Sequence, residues 1–201
     1  YRKGLQKASR LDIEVLNETY WKKYLQLGRP AFAEVWKEEL VLAGIAADSP
    51  VTEKQRQALA KRMENVRNGD VVFVVFMPRG VGLNTLTEDE RHKTQARRRF
   101  MLLGQTLAGM QVWDVRRCVQ LVGKLGYDCP VTLWGYDDTS SLVSLAALFE
   151  EISTVHIKSY PKNDKEQPDY LNISRIVTPT QILDLVRERC RVNILDKPKK
   201  K

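Results

Sequence analysis

Oxygen-bearing side chains crowd one corner of this sequence, Gly135-Tyr136-Asp137-Asp138-Thr139-Ser140-Ser141. A short apolar run, Val131–Trp134, leads in, and a helical pattern, Leu142–Leu148, leads out. Strand-to-helix corners can hold a nucleophile on a strained, exposed turn, with small residues on both sides in the pattern G-x-S-x-G. Set on that pattern, Gly135 keeps the first glycine, Asp137 takes the nucleophile position and Thr139 replaces the last glycine. Three readings follow. Asp137 could be a carboxylate nucleophile, a known covalent strategy. Ser140 or Ser141 could act from the first helical turn. Or the corner is a plain helix start, with Asp138 or Thr139 as cap and acidic residues complementing the helix dipole.

A serine nucleophile needs an imidazole base and an acid to orient it. The chain has two histidines. His92 lies in a polar stretch ahead of a helical pattern and could reach the strand ends. His156 sits mid-strand in an alternating run and reads as structural. Asp196 ends the last strand, where an orienting acid could sit, and no histidine follows it.

Other chemistries find less support. Gly80-Val-Gly82 follows a strand, but a dinucleotide fingerprint G-x-G-x-x-G would need glycine where Thr85 stands. No G-x-x-x-x-G-K-[ST] occurs, so no nucleotide cofactor is expected. Arg79 could bind an anion or make a surface salt bridge. Cys118, Cys129 and Cys190 are widely spaced, with no C-x-x-C, so no metal site is expected. The net charge of +8 invites a nucleic-acid reading. However, Lys197 and Lys199–Lys201 form a solvated tail, Arg97–Arg99 form the other cluster, and no aromatic residues interleave them, so no nucleic acid is expected. No run approaches the ~20 apolar residues that span a bilayer, so no membrane partner is expected. The first residues lack an apolar signal core, although Tyr1 is not Met and an upstream signal could have been removed; the sequence gives no compartment and no oligomeric state.

The elements around the corner set the fold class. Residues 1–37 read as a helical arm, with Leu11, Val15, Tyr20, Tyr24 and Leu27 as one stripe. From residue 38 a strand–helix rhythm begins. Strands are expected at Leu40–Ala46, Asp70–Phe76, Val131–Trp134, Ser153–Tyr160 and Arg191–Asp196. Asp70–Phe76 is apolar on both faces and is expected to be central. Helices are expected over Glu53–Arg67 (Thr52 and Gln55 forming a capping box, Asn68-Gly69 ending it), Phe100–Leu125, Ser140–Glu150 and Thr178–Arg187, and residues 85–99 and 162–172 read as loop. This alternation predicts an α/β fold: three layers, a mostly parallel sheet, helices on both faces. The expected organisation is the arm 1–37, an α/β domain over 38–196 and a basic tail 197–201.

The order of pieces resembles the α/β-hydrolases. Strand 70–76 followed by Pro78-Arg-Gly-Val-Gly82 is similar to their D-x-R-G-x-G loop. Phe100-Met-Leu-Leu-Gly-Gln-Thr-Leu-Ala-Gly-Met-Gln-Val-Trp-Asp-Val-Arg-Arg-Cys-Val119 resembles the helix before the nucleophile strand. It is especially similar to the L-G-x-S-L-x-G-M-R-x-W-D-x-x-R-A pattern of acetyl xylan esterase-like and dienelactone hydrolase-like members. VTLWG then stands at the elbow strand and Ser144–Leu148 in the helix behind it. The resemblance implies an incomplete hydrolase-like domain, esterase-type, acting on a small ester or acetylated carbohydrate. Carried over by position, Asp137 takes the nucleophile's place and Asp196 lies near the acid's, while the histidine has no counterpart. Hydrolases of this fold with an aspartate nucleophile need that histidine too. The implied domain is catalytically degenerate or the C-terminal part of a larger hydrolase; the alternative is a non-catalytic binding or structural module on the same scaffold.

Overall fold

The computed structural model describes residues 8–46, 50–68, 71–87 and 89–196. Gly69, Asp70 and the basic tail 197–201, all named above, lie outside the described residues.

Five strands, β1 (Arg10–Val15), β2 (Val71–Phe76), β3 (Val131–Tyr136), β4 (Thr154–Lys158) and β5 (Arg191–Ile194), form one sheet in the order β2-β1-β3-β4-β5. Every pair is parallel. The helices are α1 (Glu18–Phe32), α2 (Lys37–Leu42), α3 (Glu53–Arg67), α4 (Glu90–Leu102), α5 (Leu107–Lys124), α6 (Asp138–Ala147) and α7 (Pro179–Arg189). This is the three-layer α/β arrangement that the alternation predicts.

Strand alternation divides the side chains between two cores. On one face, Leu11, Ile13 and Val15 of β1, Leu133 of β3 and Val155 and Ile157 of β4 pack with Val115 of α5, Val143 of α6 and Ile182 of α7. The second core is smaller: Leu16, Trp21, Leu25, Leu40 and Val81, with Val75 of β2 against it. The chain goes from β1 to β2 in one direction, then returns past β1 to β3. Parallel crossovers keep one hand, so this reversal sends the helices after β2 to the opposite face from α1.

Several sequence expectations change here. The segment 1–37 contains the central strand: β1 pairs with β2 on one side and β3 on the other. Leu11 and Val15 are four apart, which suits a helix, but Ile13 between them is buried with them and the true period is two. The helical reading holds from Glu18. The apolar run Leu40–Ala46 is no strand. Leu40 and Ala43 face inward at helical spacing, Val41 and Leu42 face solvent, and Gly44 at φ +67° closes α2. β2 is at the sheet edge rather than its centre, so 131–134 is flanked by β1 and β4, not by 70–76. Its unbroken apolar character comes from lying between both cores, with Val72, Val74 and Phe76 toward the larger and Val75 toward the smaller.

Phe100–Leu125 is two helices, divided at Gly104 (φ +69°), with Thr106 capping α5 by accepting from Gly109 N–H at 3.1 Å. The polar stretch 85–99 is mostly α4, which buries no side chain fully. Without a core-facing stripe it leaves no apolar period to read, and its start is fixed by Asp89, which accepts from His92 N–H at 2.8 Å. The proline expected in the first turn of α7 is there, and the helix also starts on a capping box that the sequence reading does not include, formed by Thr178 and Gln181. The box expected at Thr52 and Gln55 involves the Gln55 side chain, which lies outside what the structure describes.

Candidate functional site

The reversal of chain direction places β1 and β3 side by side with their helices on opposite faces. In open parallel sheets the crevice beyond the carboxyl ends at such a switch point is where ligands bind. Here Val15–Glu18 meets Tyr136–Thr139 at that position.

The corner itself is strained. Asp137 has φ +52° and ψ −118°, a conformation that costs a non-glycine residue on the order of 1–3 kcal/mol. It persists because its peptide groups are tied on both sides: Asp137 N–H donates to the Lys158 carbonyl at 2.9 Å, and its own carbonyl accepts from Ser140 N–H at 3.1 Å. Gly135 makes the turn sterically possible. A Cβ there would lie 2.6 Å from Val143 Cγ2 and 2.7 Å from the Thr139 carbonyl.

Thr139, 1% exposed, locks the crevice floor. Its hydroxyl accepts from Tyr136 N–H at 2.8 Å and lies 3.0 Å from the carbonyls of Val15 and Tyr136, which share its single proton. Asn17 spans the crevice above. Its Oδ1 caps α1 by accepting from Tyr20 N–H at 2.9 Å, and its Nδ2 donates to Asp138 Oδ1 at 2.6 Å. Tyr136 stacks on Tyr20, centroids 4.2 Å apart, and donates its hydroxyl to Glu14 at 2.8 Å. Glu18 reaches the loop after β2, accepting from Gly82 N–H at 3.1 Å.

Each expected site residue has a definite place. Asp137 is at the exposed tip of the turn and occupies the cap position of α6, which sequence reading gave to Asp138 or Thr139; its carboxylate caps nothing. Asp138 lies in the first helical turn, as expected for dipole complementation, and takes the bond from Asn17. Ser140 is fully buried and donates to the Lys158 carbonyl at 2.6 Å. Ser141, 1% exposed, is held between the Asp138 carbonyl at 3.1 Å and the Tyr170 hydroxyl at 2.8 Å. Both hydroxyls are thus committed to structure. Asp196 accepts from Ser159 N–H at 2.8 Å and braces the turn after β4, where Ser159 has φ +57°.

The histidines stay apart from the corner. His92 is in the exposed first turn of α4 with Nδ1 3.5 Å from Asp89, its own cap. His156 stacks on Trp134 at 3.9 Å, on the sheet face opposite α6. Among the described residues, neither imidazole bonds to a corner oxygen, and no group of three His, Cys, Asp or Glu could hold a metal ion. Cys118 is not a ready nucleophile: burial pushes its thiol up to about 11. Glu14, Asn17 and Tyr20 are not among the residues the sequence singles out for the site, because the segment 1–37 reads as an arm; an Asn directly before a helical pattern is the available signal.

His156 carries a pH prediction. Burial lowers its pKa from 6.5; nearby Asp12 opposes this, and Arg10 and Arg191 add to it. The unfolded chain therefore takes up the proton more readily than the folded one. Stability should be flat above about pH 6.5 and fall as pH drops below it, down to the folded-state value. Urea midpoints at pH 7.5 and 5.5 should differ less in His156→Gln than in the parent. An equal drop in both would assign the acid sensitivity elsewhere.

No family model, curated protein or solved structure matches the chain. Among the described residues no helix is long and apolar enough to cross a membrane.

Proposed function

We propose that this chain is an α/β-hydrolase-like domain whose nucleophile corner has lost ester-hydrolysing chemistry and which acts as a non-catalytic module on that scaffold. The observation that carries this reading is Asp137 at φ +52°, ψ −118°, at the switch point and beside a second carboxylate. Strain of this kind is characteristic of functional corners. The groups on this corner, however, suit ester hydrolysis poorly.

An acyl transfer site stabilises a developing oxyanion with donors, each worth about 3–4 kcal/mol. At this corner the first residue after the turn is Asp138, whose carboxylate takes up the Asn17 amide. A negative charge there opposes an oxyanion rather than stabilising it. Both nearby serine hydroxyls point to carbonyls, and neither imidazole is in place to activate them or to release an ester formed on Asp137. Small esters and acetylated carbohydrates are the ligand class the resemblance implies, with binding but no turnover.

Incubation with p-nitrophenyl acetate is expected to give no p-nitrophenol above the buffer rate, in the parent or in Asp137→Ala and Ser140→Ala. Saturable turnover that disappears in Asp137→Ala would sink the non-catalytic reading and restore a hydrolase.

A further inference from the structure

A cleft of about 680 Å³ opens beside the loop after β2, and its walls include Arg79, Met110, Trp113, Tyr170, Ile173 and Ile176. That volume lies in the range of small-molecule sites. The walls are mainly apolar, yet Trp113 and Ile176 are 45% and 78% exposed, so this apolar surface is open to solvent. Fixed neighbours give the cleft its shape. Tyr170 is held by Ser141 at 2.8 Å, and burial keeps its hydroxyl protonated. The loop carrying Arg79 is held to α5 by Gln111 Nε2, which donates to the Arg79 carbonyl at 2.8 Å.

Among the described lining residues the cation is Arg79, oriented but incompletely used. Arg117 and Arg116 lie over the Trp113 ring, 4.3 and 5.1 Å from its centroid. Asp114 takes Nε of Arg79 at 2.8 Å and Nη2 at 2.6 Å, and it also accepts from Arg79 N–H at 3.1 Å. This fork fixes the guanidinium plane. Among the described residues, the other terminal nitrogen, Nη1, meets only the thioether of Met110 at 3.3 Å. Sulfur is a weak acceptor. A pre-positioned, charged donor thus faces a poor partner at the edge of an apolar cleft.

We propose that this cleft binds an amphiphilic monocarboxylate, with its carboxylate on Nη1 of Arg79 and its apolar chain along Met110, Trp113, Ile173 and Ile176. The carboxylate replaces the sulfur contact with a charge-assisted hydrogen bond, and the chain covers exposed apolar surface. Asp114 limits the affinity, because its charge already neutralises much of the guanidinium. The site needs no chemistry at Asp137, so it stands whether or not the domain hydrolyses esters.

The test uses decanoate, decanol and decyltrimethylammonium, each below its micellar concentration, followed by calorimetry and by fluorescence compared between the parent and Trp113→Phe. Decanoate should bind saturably at one site and perturb Trp113, decanol more weakly, and the cationic amphiphile not measurably. Arg79→Met with Asp114→Asn should weaken decanoate about tenfold and leave decanol unchanged, as loss of one charged hydrogen bond requires. Asp114→Asn alone should tighten decanoate, a result that a merely structural pair would not give. Ile173→Asp, at the cleft wall, should abolish both ligands. The proposal is overturned by no saturable heat with decanoate, by equal binding of the anionic and cationic amphiphiles, or by decanoate affinity that ignores both Arg79 and Asp114.

Discussion

Gly135→Ala is expected to destabilise the domain by about 3 kcal/mol or more, at the upper end of what overpacking a core normally costs. The effect comes from where the methyl would go. It would sit 2.6 Å from Val143 Cγ2, 2.7 Å from the Thr139 carbonyl and 2.9 Å from Ser140 Cα. Two of these three atoms are backbone in the first turn of α6, so no rotamer change relieves them. To admit the methyl, α6 must move off β3, and α6 also packs on α5 and α7. The movement would pull Thr139 from Val15 and Ser140 from Lys158, undoing the ties between three strand ends. A neighbouring position gives the opposite sign. Asp137→Gly keeps the corner and removes the penalty for positive φ, so a gain of about 1 kcal/mol is expected after the added flexibility of glycine is subtracted. Urea midpoints of the two variants against the parent decide both. A Gly135→Ala variant as stable as the parent would mean that the helix does not approach the strand this closely.

The corner was legible in the sequence because it is local. An apolar run, a glycine, acidic and hydroxyl residues and a helical pattern follow one another without a gap, and the structure puts β3, the turn and α6 at those residues. What the corner contacts was not legible. Asn17 and Asp138 are 121 residues apart, Glu14 and Tyr136 122 apart, and their partnership depends on sheet order. That order was out of reach because the central strand carries Asp12 and Glu14 on one side. Asp12 is only 4% exposed, its carboxylate held by Arg10 with Nε 2.8 Å from Oδ1 and Nη2 2.9 Å from Oδ2. A buried acid ion-paired to its second neighbour along the strand, with only Oδ2 hydrogen-bonded, looks in sequence like a solvent-facing residue. The Leu40–Ala46 run errs in the opposite sense: Val41 and Leu42 are apolar but solvent-facing, and they imitate a buried strand. In sequence the serines look like candidate nucleophiles, because composition cannot show that a hydroxyl is committed. Ser140 and Ser144 each donate to a carbonyl, of Lys158 and Ser140 respectively, in a helix that is buried along nearly its whole length.

Ile13→Ala separates the two views of the N-terminal segment. As part of an appended arm, residue 13 would contribute nothing to the unfolding of the α/β domain. As the middle of β1 it is fully buried, pairs with Val74 on one side and Leu133 on the other, and lies in the larger core with Val155 and Val186. Truncation there removes three carbons from a site that strands on both sides prevent from collapsing, so a loss of about 3–4 kcal/mol is expected. For a domain of this size that corresponds to a fall of roughly 10 °C in Tm. Val35→Ala, in the same segment but 74% exposed, should move Tm by no more than about 1 °C. The pair is informative because a partly detached segment would give two transitions, with Ile13→Ala shifting only the first. A single cooperative transition displaced as a whole would place β1 inside the folding unit. Asn17 and Glu14 would then hold the crevice through the same strand on which the whole sheet depends.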